Sequence, residues 1–329
     1  MSASSFRYVY GPVPSRRLGK SLGINNIPAK ICTYSCVYCQ VGRTTQIQSD
    51  RRFFYEPEDI FRDVQSRLVK VKETAERVDY LTFVPDGEPT LDINLGKAIT
   101  LLKALSVPVG VITNSSLIWR DDVREELGKA DWVSLKIDAV QETIWKQINR
   151  PHKAIQMSRI LDGMLTFARG FTGKLMTETM LVKGINDNED CLKEVADFVN
   201  RIQPSQAYLS VPIRPPAEKQ VQSPDEETLN RMYQAFINKF DRVEYLIGYE
   251  GNAFAFTGDI EKDLLSITAV HPMREDAVDA FLSRAEASRE VVDRLVAQNG
   301  LAETKYRGHT FYLRKFAKKF INPKGGDNA

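Results

Sequence analysis

Cysteine and histidine are both scarce: four cysteines and three histidines stand among 329 residues. Three of the cysteines fall within eight positions, which excludes a secreted disulfide framework, since such a scaffold spaces its cysteines to staple distant segments. No apolar run reaches the roughly eighteen residues of a membrane helix, and the opening MSASSFRYVYGPVP holds no hydrophobic signal core. A cytoplasmic protein with no membrane partner is expected. An excess of one charge is missing too. Lys and Arg number 45 against 43 Asp and Glu, a net +2, so any face for nucleic acid must be local. The 43% hydrophobic and 27% charged residues are ordinary for a globular protein, and the length allows an α/β barrel with an appendage.

From residue 57 to 245 strand and helix patterns alternate. Strands are expected at 22–27, 78–84, 108–113, 131–138, 174–182, 207–213 and 242–248. Helices are expected at 56–75, 94–105, 120–129, 154–169, 188–202 and about 225–240. Such alternation means βα units on a parallel sheet, and about six units suit a partial (β/α)6 barrel over residues 1–250. An open doubly wound sheet is the other reading. In DWVSLKID, Ser134, Lys136 and Asp138 share one face and Val133, Leu135 and Ile137 the other, which predicts polar groups toward a lumen.

Ligands in parallel α/β folds bind past the carboxyl ends of strands. The loops there are CTYSCVYC, PDGEPT, TNSS, DAVQETIWKQINRPH, KGIND and RPPAE. The first carries Cys32, Cys36 and Cys39 in a C-x3-C-x2-C run. A structural zinc or a fully protein-ligated iron–sulfur cluster takes four protein ligands. Two readings remain: zinc completed by a histidine or Cys191, or a [4Fe–4S] cluster whose fourth iron stays open to a small molecule. Cys191, near the start of a helix, is read either as a reactive thiol or as an inert buried one.

C-x3-C-x2-C with Tyr38 before the last cysteine resembles the radical S-adenosylmethionine (SAM) superfamily. The resemblance implies one [4Fe–4S] cluster on Cys32, Cys36 and Cys39, and SAM held by the open iron and reductively cleaved to a 5′-deoxyadenosyl radical. It also implies an electron donor such as a flavodoxin or ferredoxin. DGEPT resembles the family's SAM-binding turn, which makes Gly87, Glu88 and Pro89 cofactor-binding candidates beside Tyr38, with Glu88 toward the SAM amino group. Asn114, Ser134 and Lys136 complete that set; for Lys136 an internal ion pair with Asp138 or Glu178 is the competing role. Arg150, Arg214 and Arg17 are expected to meet substrate, against the alternative of ordinary solvated arginines; His152 has no assignable role.

More narrowly, GPVPSRRLGKSLGIN, CTYSCVYCQVG, DGEPTL and RPPAE resemble the branch of the wyosine-base-forming tRNA enzymes, over residues 10 to 250. That branch carries three further cysteines upstream for a second cluster. This chain has none before Cys32, so one cluster is expected and the substrate stays open.

Residues 251–262 read as a linker, 263–320 as a winged-helix-like domain and 321–329 as a flexible tail. The domain is expected to run strand (LLSITAVHP), helix (EDAVDAFLSRA), helix (SREVVDRLVAQNG) and hairpin (LAETKY with HTFYLRKF). Lys305, Arg307, Arg314, Lys315, Lys318, Lys319 and Lys324 against Glu303 give its end a local basic excess. Three functions follow: a radical SAM enzyme acting on a macromolecule such as tRNA or another RNA, an activase or modifier of a protein or peptide, and a non-catalytic iron–sulfur redox sensor that binds DNA.

Overall fold

The computed structural model describes residues 8–315 apart from 75, 247, 249, 250, 253 and 255. The expected tail 321–329, with Lys324, and the last residues of the expected winged-helix-like domain, with Lys318 and Lys319, lie outside them.

An eight-stranded sheet carries the fold. Strand β1 (Val9–Ser15) pairs antiparallel with β2 (Gly19–Ile24), while the two-residue strands β3 (Ile31–Cys32) and β4 (Gln46–Ile47) form a separate ladder. Six more strands follow β2 in parallel: β5 (Tyr80–Phe83), β6 (Val109–Thr113), β7 (Trp132–Lys136), β8 (Lys174–Met180), β9 (Gln206–Ser210) and β10 (Val243–Leu246). Strands β1 and β10 are the two edges and do not pair, so the sheet is a curled half-barrel. The crossovers are α1 (Pro57–Glu73), α2 (Leu95–Lys103), α3 (Asp121–Leu127), α4 (Glu142–Asn149) with α5 (Met157–Gly170), α6 (Glu189–Ile202) and α7 (Glu226–Ile237).

Strand periodicity explains the layers. Leu22, Ile24, Leu81, Phe83, Val111 and Val133 turn outward to the helices, in a core where each fully buried side chain contributes about 1.5–3 kcal/mol. The opposite faces of the strands fill the lower lumen with Trp132, Met176, Tyr208 and Leu246, joined by Leu18 of the β1–β2 turn. Helix α6 shows the helical logic. Asn188 caps it by accepting from the Cys191 backbone N–H at 2.9 Å, and Leu192, Val195, Ala196 and Val199 form its buried stripe.

Three expectations need correction. Strand β1 lies in GPVPS, where Gly11, Pro12 and Pro14 argue against a strand. It is an edge strand with a register shift between Tyr10 and Val13, and edges and bulges are where proline is tolerated. DAVQETIWKQINRPH is not all loop, because it contains α4, which buries Trp145 and Ile148. LLSITAVHP is not a strand: its residues up to Val270 belong to α8 (Ile260–Val270), capped by Asp259, with Leu264, Ile267 and Thr268 buried at helical spacing.

After α8 come β11 (Met273–Arg274), α9 (Glu275–Arg284), α10 (Glu290–Ala297), β12 (Leu301–Tyr306) and β13 (His309–Arg314), with sheet order β11–β13–β12. This unit is fused to the barrel. Tyr10 and Val13 of β1 belong to its apolar cluster together with Phe254, Leu264, Phe281 and Tyr312. Arg67 of α1 pairs with Asp263 of α8 at 2.8 Å, with both side chains at most 3% exposed. Among the described residues of the expected linker, Phe254 is buried in that cluster and the Thr257 N–H donates to Asp263 at 2.7 Å.

Candidate active site

The cysteine loop leaves β2 and is clamped from three sides. Gly87 lies so close beneath it that an added Cβ would sit 2.0 Å from the Ile31 carbonyl oxygen. This position admits glycine alone, and the close approach serves the cysteine loop. The Lys30 N–H donates to the Asp86 carbonyl at 2.7 Å and the Glu88 N–H to the Ile31 carbonyl at 3.2 Å. From the end of β6, the Asn114 Nδ2 donates to Cys32 Sγ at 3.4 Å and to Thr33 Oγ1 at 2.7 Å. The third clamp is the C-terminal end of α4: Ser35 N–H donates to the Asn149 carbonyl at 3.0 Å, Val37 N–H to that of Ile148 at 2.9 Å, and Asn149 Nδ2 to Cys36 Sγ at 3.4 Å.

Below the loop lies a cavity of about 270 Å³, lined by the three cysteines, Tyr38, Lys136, Glu178 and Arg214 among others. Its floor is a charged layer above the apolar plug. Glu178 of β8 pairs with Lys136 of β7 at 2.7 Å, takes a hydrogen bond from Ser210 of β9 at 2.9 Å, and pairs with Arg17, which reaches up from the β1–β2 turn. Burial pushes the Glu178 carboxyl up, but Arg17 and Lys136 outweigh it and hold the group well below the usual carboxylate range. Lys136 therefore has the internal ion pair as its partner, and its ammonium also sits 5.1 Å from the centre of the Tyr38 ring. The Tyr38 hydroxyl in turn donates to buried Asp138, which also accepts from Asn149 Nδ2 at 2.7 Å.

Glu88 lines the cavity, with its carboxylate held by hydrogen bonds from the protein. Only 1% exposed, it accepts from Thr90 N–H and Oγ1 at 3.0 and 2.6 Å, Thr113 Oγ1 at 2.6 Å and Asn114 N–H at 2.7 Å. Its work is to fix the turn and aim Asn114. Pro89 and Ser134 are buried outside the cavity lining, and Pro89 lends its carbonyl to Asn26 at 3.0 Å. Arg150 faces away and pairs with Glu218, which also holds Arg43 at 2.8 Å. Arg214 does line the cavity, donating to Gln40 at 3.1 Å and meeting His271 Nε2 at 3.0 Å. Burial, and then Arg214, hold His271 well below the usual histidine range, so its imidazole is neutral and accepts. Cys191 is fully buried in the α6 stripe with its thiol pushed up to about 12 by burial.

Sequence reasoning missed Asn149, Asp138 as anchor of Tyr38, the Lys30–Asp86 ion pair at 2.8 Å, and Val270 and His271. Asn149 and Lys30 adjoin residues already singled out. Nothing in the sequence points to Val270 and His271.

Burial, and then neighbouring carboxylates, push up all three thiols, Cys36 to about 12. Bare thiolates are therefore disfavoured here, and a cation must offset the cost of deprotonation, with proton release on binding. A [4Fe–4S] cube suits this donor set: each cysteine ligates its own iron, so the sulfurs need not converge on one point. Among the described residues no three His, Cys, Asp or Glu side chains converge on a single-ion site. Amide donors to two of the sulfurs are outer-shell partners of the kind that tune such clusters.

Residues 26–199 match the model of the Radical SAM superfamily. A UPF0026 protein of Methanocaldococcus jannaschii is 46% identical over 316 residues, covering 95% of this chain and 98% of its own. An S-adenosylmethionine-dependent nucleotide dehydratase of Flammeovirga pacifica is 26% identical over 206 residues, covering 57% of this chain and 67% of its own. Among solved structures, TYW1 with a lysine–pyruvate adduct bound shares the fold at a TM-score of 0.51 and 15% identity, over 66% of this chain and 73% of that one. The clamped triad of cysteines and the matched family model together place this chain in the radical SAM superfamily, whose members are enzymes that use a [4Fe–4S] cluster and S-adenosylmethionine.

Proposed function

We propose that the protein is a radical SAM enzyme that reductively cleaves SAM at one cluster on Cys32, Cys36 and Cys39 and modifies a nucleotide unit of an RNA. The observation that carries the chemistry is the cysteine triad lining one cavity with Tyr38, Lys136 and Glu178 while Cys191 is buried elsewhere. When bound, cluster and SAM supply a 5′-deoxyadenosyl radical that abstracts hydrogen from the substrate.

The chain's own residues position and shield. Gly87, Asn114 and Asn149 fix the loop, and the Glu178 layer closes the floor against water. The C-terminal unit forms part of the wall through Val270 and the Arg214–His271 contact. A fixed loop above a protein floor serves radical chemistry by holding the reacting groups in place and limiting side reactions.

Two observations support the RNA reading. The nucleotide dehydratase relative acts, by its name, on nucleotides. The β12–β13 turn also reaches the rim: Tyr306 donates to the Pro212 carbonyl at 3.0 Å and Arg307 to Ser223 Oγ at 3.3 Å, which sets Lys305 and Arg307 beside the loop that carries Arg214. We read this unit as winged-helix-like, with its wing contacting phosphates at the mouth. The test compares anaerobic 5′-deoxyadenosine formation with and without total tRNA. RNA is expected to accelerate it, and Lys305→Glu with Arg307→Glu to remove the acceleration. Acceleration by a protein fraction instead would move the substrate to the activase reading.

A further inference from the structure

A groove of about 780 Å³ lies outside the cavity, lined by α4, the segment after it and the start of α5. Its walls carry Lys146, Arg150, His152 and Lys153 against Glu142. Lys146, Arg150 and Lys153 are exposed, and Arg43, four residues past Cys39, is exposed too and shares the Glu218 carboxylate with Arg150. Four cations thus meet two carboxylates: Glu218 is shared by Arg43 and Arg150, and Glu142 pairs with Lys146 at 2.8 Å, which leaves a net excess of two positive charges.

What lies beneath is more informative than the charge. Pro151 forms an antiparallel bridge to Tyr34, and the His152 N–H donates to the Thr33 carbonyl at 2.8 Å. Asn149, next in the chain to Arg150, donates to Cys36 Sγ at 3.4 Å. The groove is therefore laid against the back of the cysteine loop, one amide away from a ligand sulfur. Cavity and groove share no lining residue.

We propose that this groove docks the reductant, an acidic one-electron carrier protein of flavodoxin type. The inference rests on the proposed radical SAM chemistry and adds its electron entry point. A substrate must enter the cavity, whereas a reductant has only to come close to the cluster and leave the cavity free. The groove meets the second requirement. One electron leaves the reduced flavin of the carrier and enters the cluster, which passes from its 2+ to its 1+ state; the carrier is oxidised by one electron and no proton or further reactant is needed. Opposite charge at the contact steers the encounter and makes its rate sensitive to salt.

The test uses the full chain with its cluster and an acidic flavodoxin, chemically reduced. Anaerobic stopped-flow absorbance follows cluster reduction in the wild type and in a Lys146→Glu, Lys153→Glu double variant. Light-reduced deazaflavin, a small reductant that needs no docking, serves as the control. Both lysines are exposed and neither touches the cavity, so the variant is expected to fold and to be reduced by deazaflavin at the wild-type rate. With flavodoxin it is expected to be slowed about tenfold or more at low salt, with the difference shrinking as salt rises. Calorimetric binding of flavodoxin to the wild type is expected to weaken in parallel. Equal flavodoxin rates, or binding that the variant retains, would overturn the proposal; so would a variant that loses tRNA binding while flavodoxin reduces it normally, which would give the groove to RNA. A cluster that neither reductant can reduce strikes the proposed chemistry instead, and flavodoxin binding still decides the groove.

Discussion

Asn149 shows what a single residue does here. Its amide joins Cys36 Sγ, Asp138 and Tyr38, so one side chain sets both the distance of the α4 segment from the loop and the hydrogen bonding of a ligand sulfur. Nothing in INRPH singles it out, because an asparagine before Arg-Pro reads as ordinary turn chemistry. Hydrogen bonds to cluster sulfurs stabilise the reduced, more negative state. Asn149→Ala is therefore expected to lower the cluster's midpoint potential in an electron-paramagnetic-resonance-monitored titration and to weaken iron retention by about tenfold or more. An unchanged potential would leave Asn149 a purely structural residue. At Gly87 the constraint is space. Gly87→Ala drives a methyl into the Ile31 carbonyl, and the expected result is loss of iron loading together with about 1–3 kcal/mol of stability, read by iron analysis and urea unfolding. Full loading would show that the loop can shift.

Strands and helices were the legible scale. The period-2 face of DWVSLKID leads to the observed lumen, where Lys136 shares a layer with Glu178 of the neighbouring strand, because a buried parallel sheet leaves alternation as the signal of which side faces the cavity. Proline hid β1, and the β-branched residues of LLSITAVHP hid α8, whose helical spacing became decisive once packed on β1. The Glu178 layer ties β7, β8 and β9 to the β1–β2 turn. Glu178→Gln leaves two cations without their carboxylate and is expected to cost about 3–5 kcal/mol in urea unfolding. The Glu178 carboxyl is held low, so its contribution is full above its unfolded value and is lost only as pH falls through the folded one. The difference between wild type and variant should accordingly persist unchanged from pH 5 to pH 8. A gap that closes toward pH 8 would refute the assignment.

At the scale of the whole molecule, the barrel and the C-terminal unit share a core through Tyr10 and Val13 and a buried ion pair through Arg67 and Asp263. The sequence suggested two domains and a linker, since composition changes near residue 250; contacts between residues about 190 positions apart leave no local trace. One cooperative unfolding transition is expected by calorimetry. Asp263→Ala, which strands Arg67, should lower the midpoint of that transition rather than split off a C-terminal melt. Two separate transitions in the wild type would contradict the shared core. No helix among the described residues is long and apolar enough to cross a membrane.

The cysteine triad, Asn114 and a Lys136 ion pair were visible in the sequence; Asn149, the joining of Arg17 and Ser210 to Glu178, and the wall around them emerged only from the fold. The measurement that tests the account most directly is anaerobic: load the full chain with iron and sulfide, add SAM and dithionite, and quantify 5′-deoxyadenosine beside a Cys32→Ala, Cys36→Ala, Cys39→Ala variant. The account predicts 5′-deoxyadenosine from the wild type and none from the variant. A fully loaded wild-type cluster that yields no 5′-deoxyadenosine, or a variant that yields as much, would contradict it.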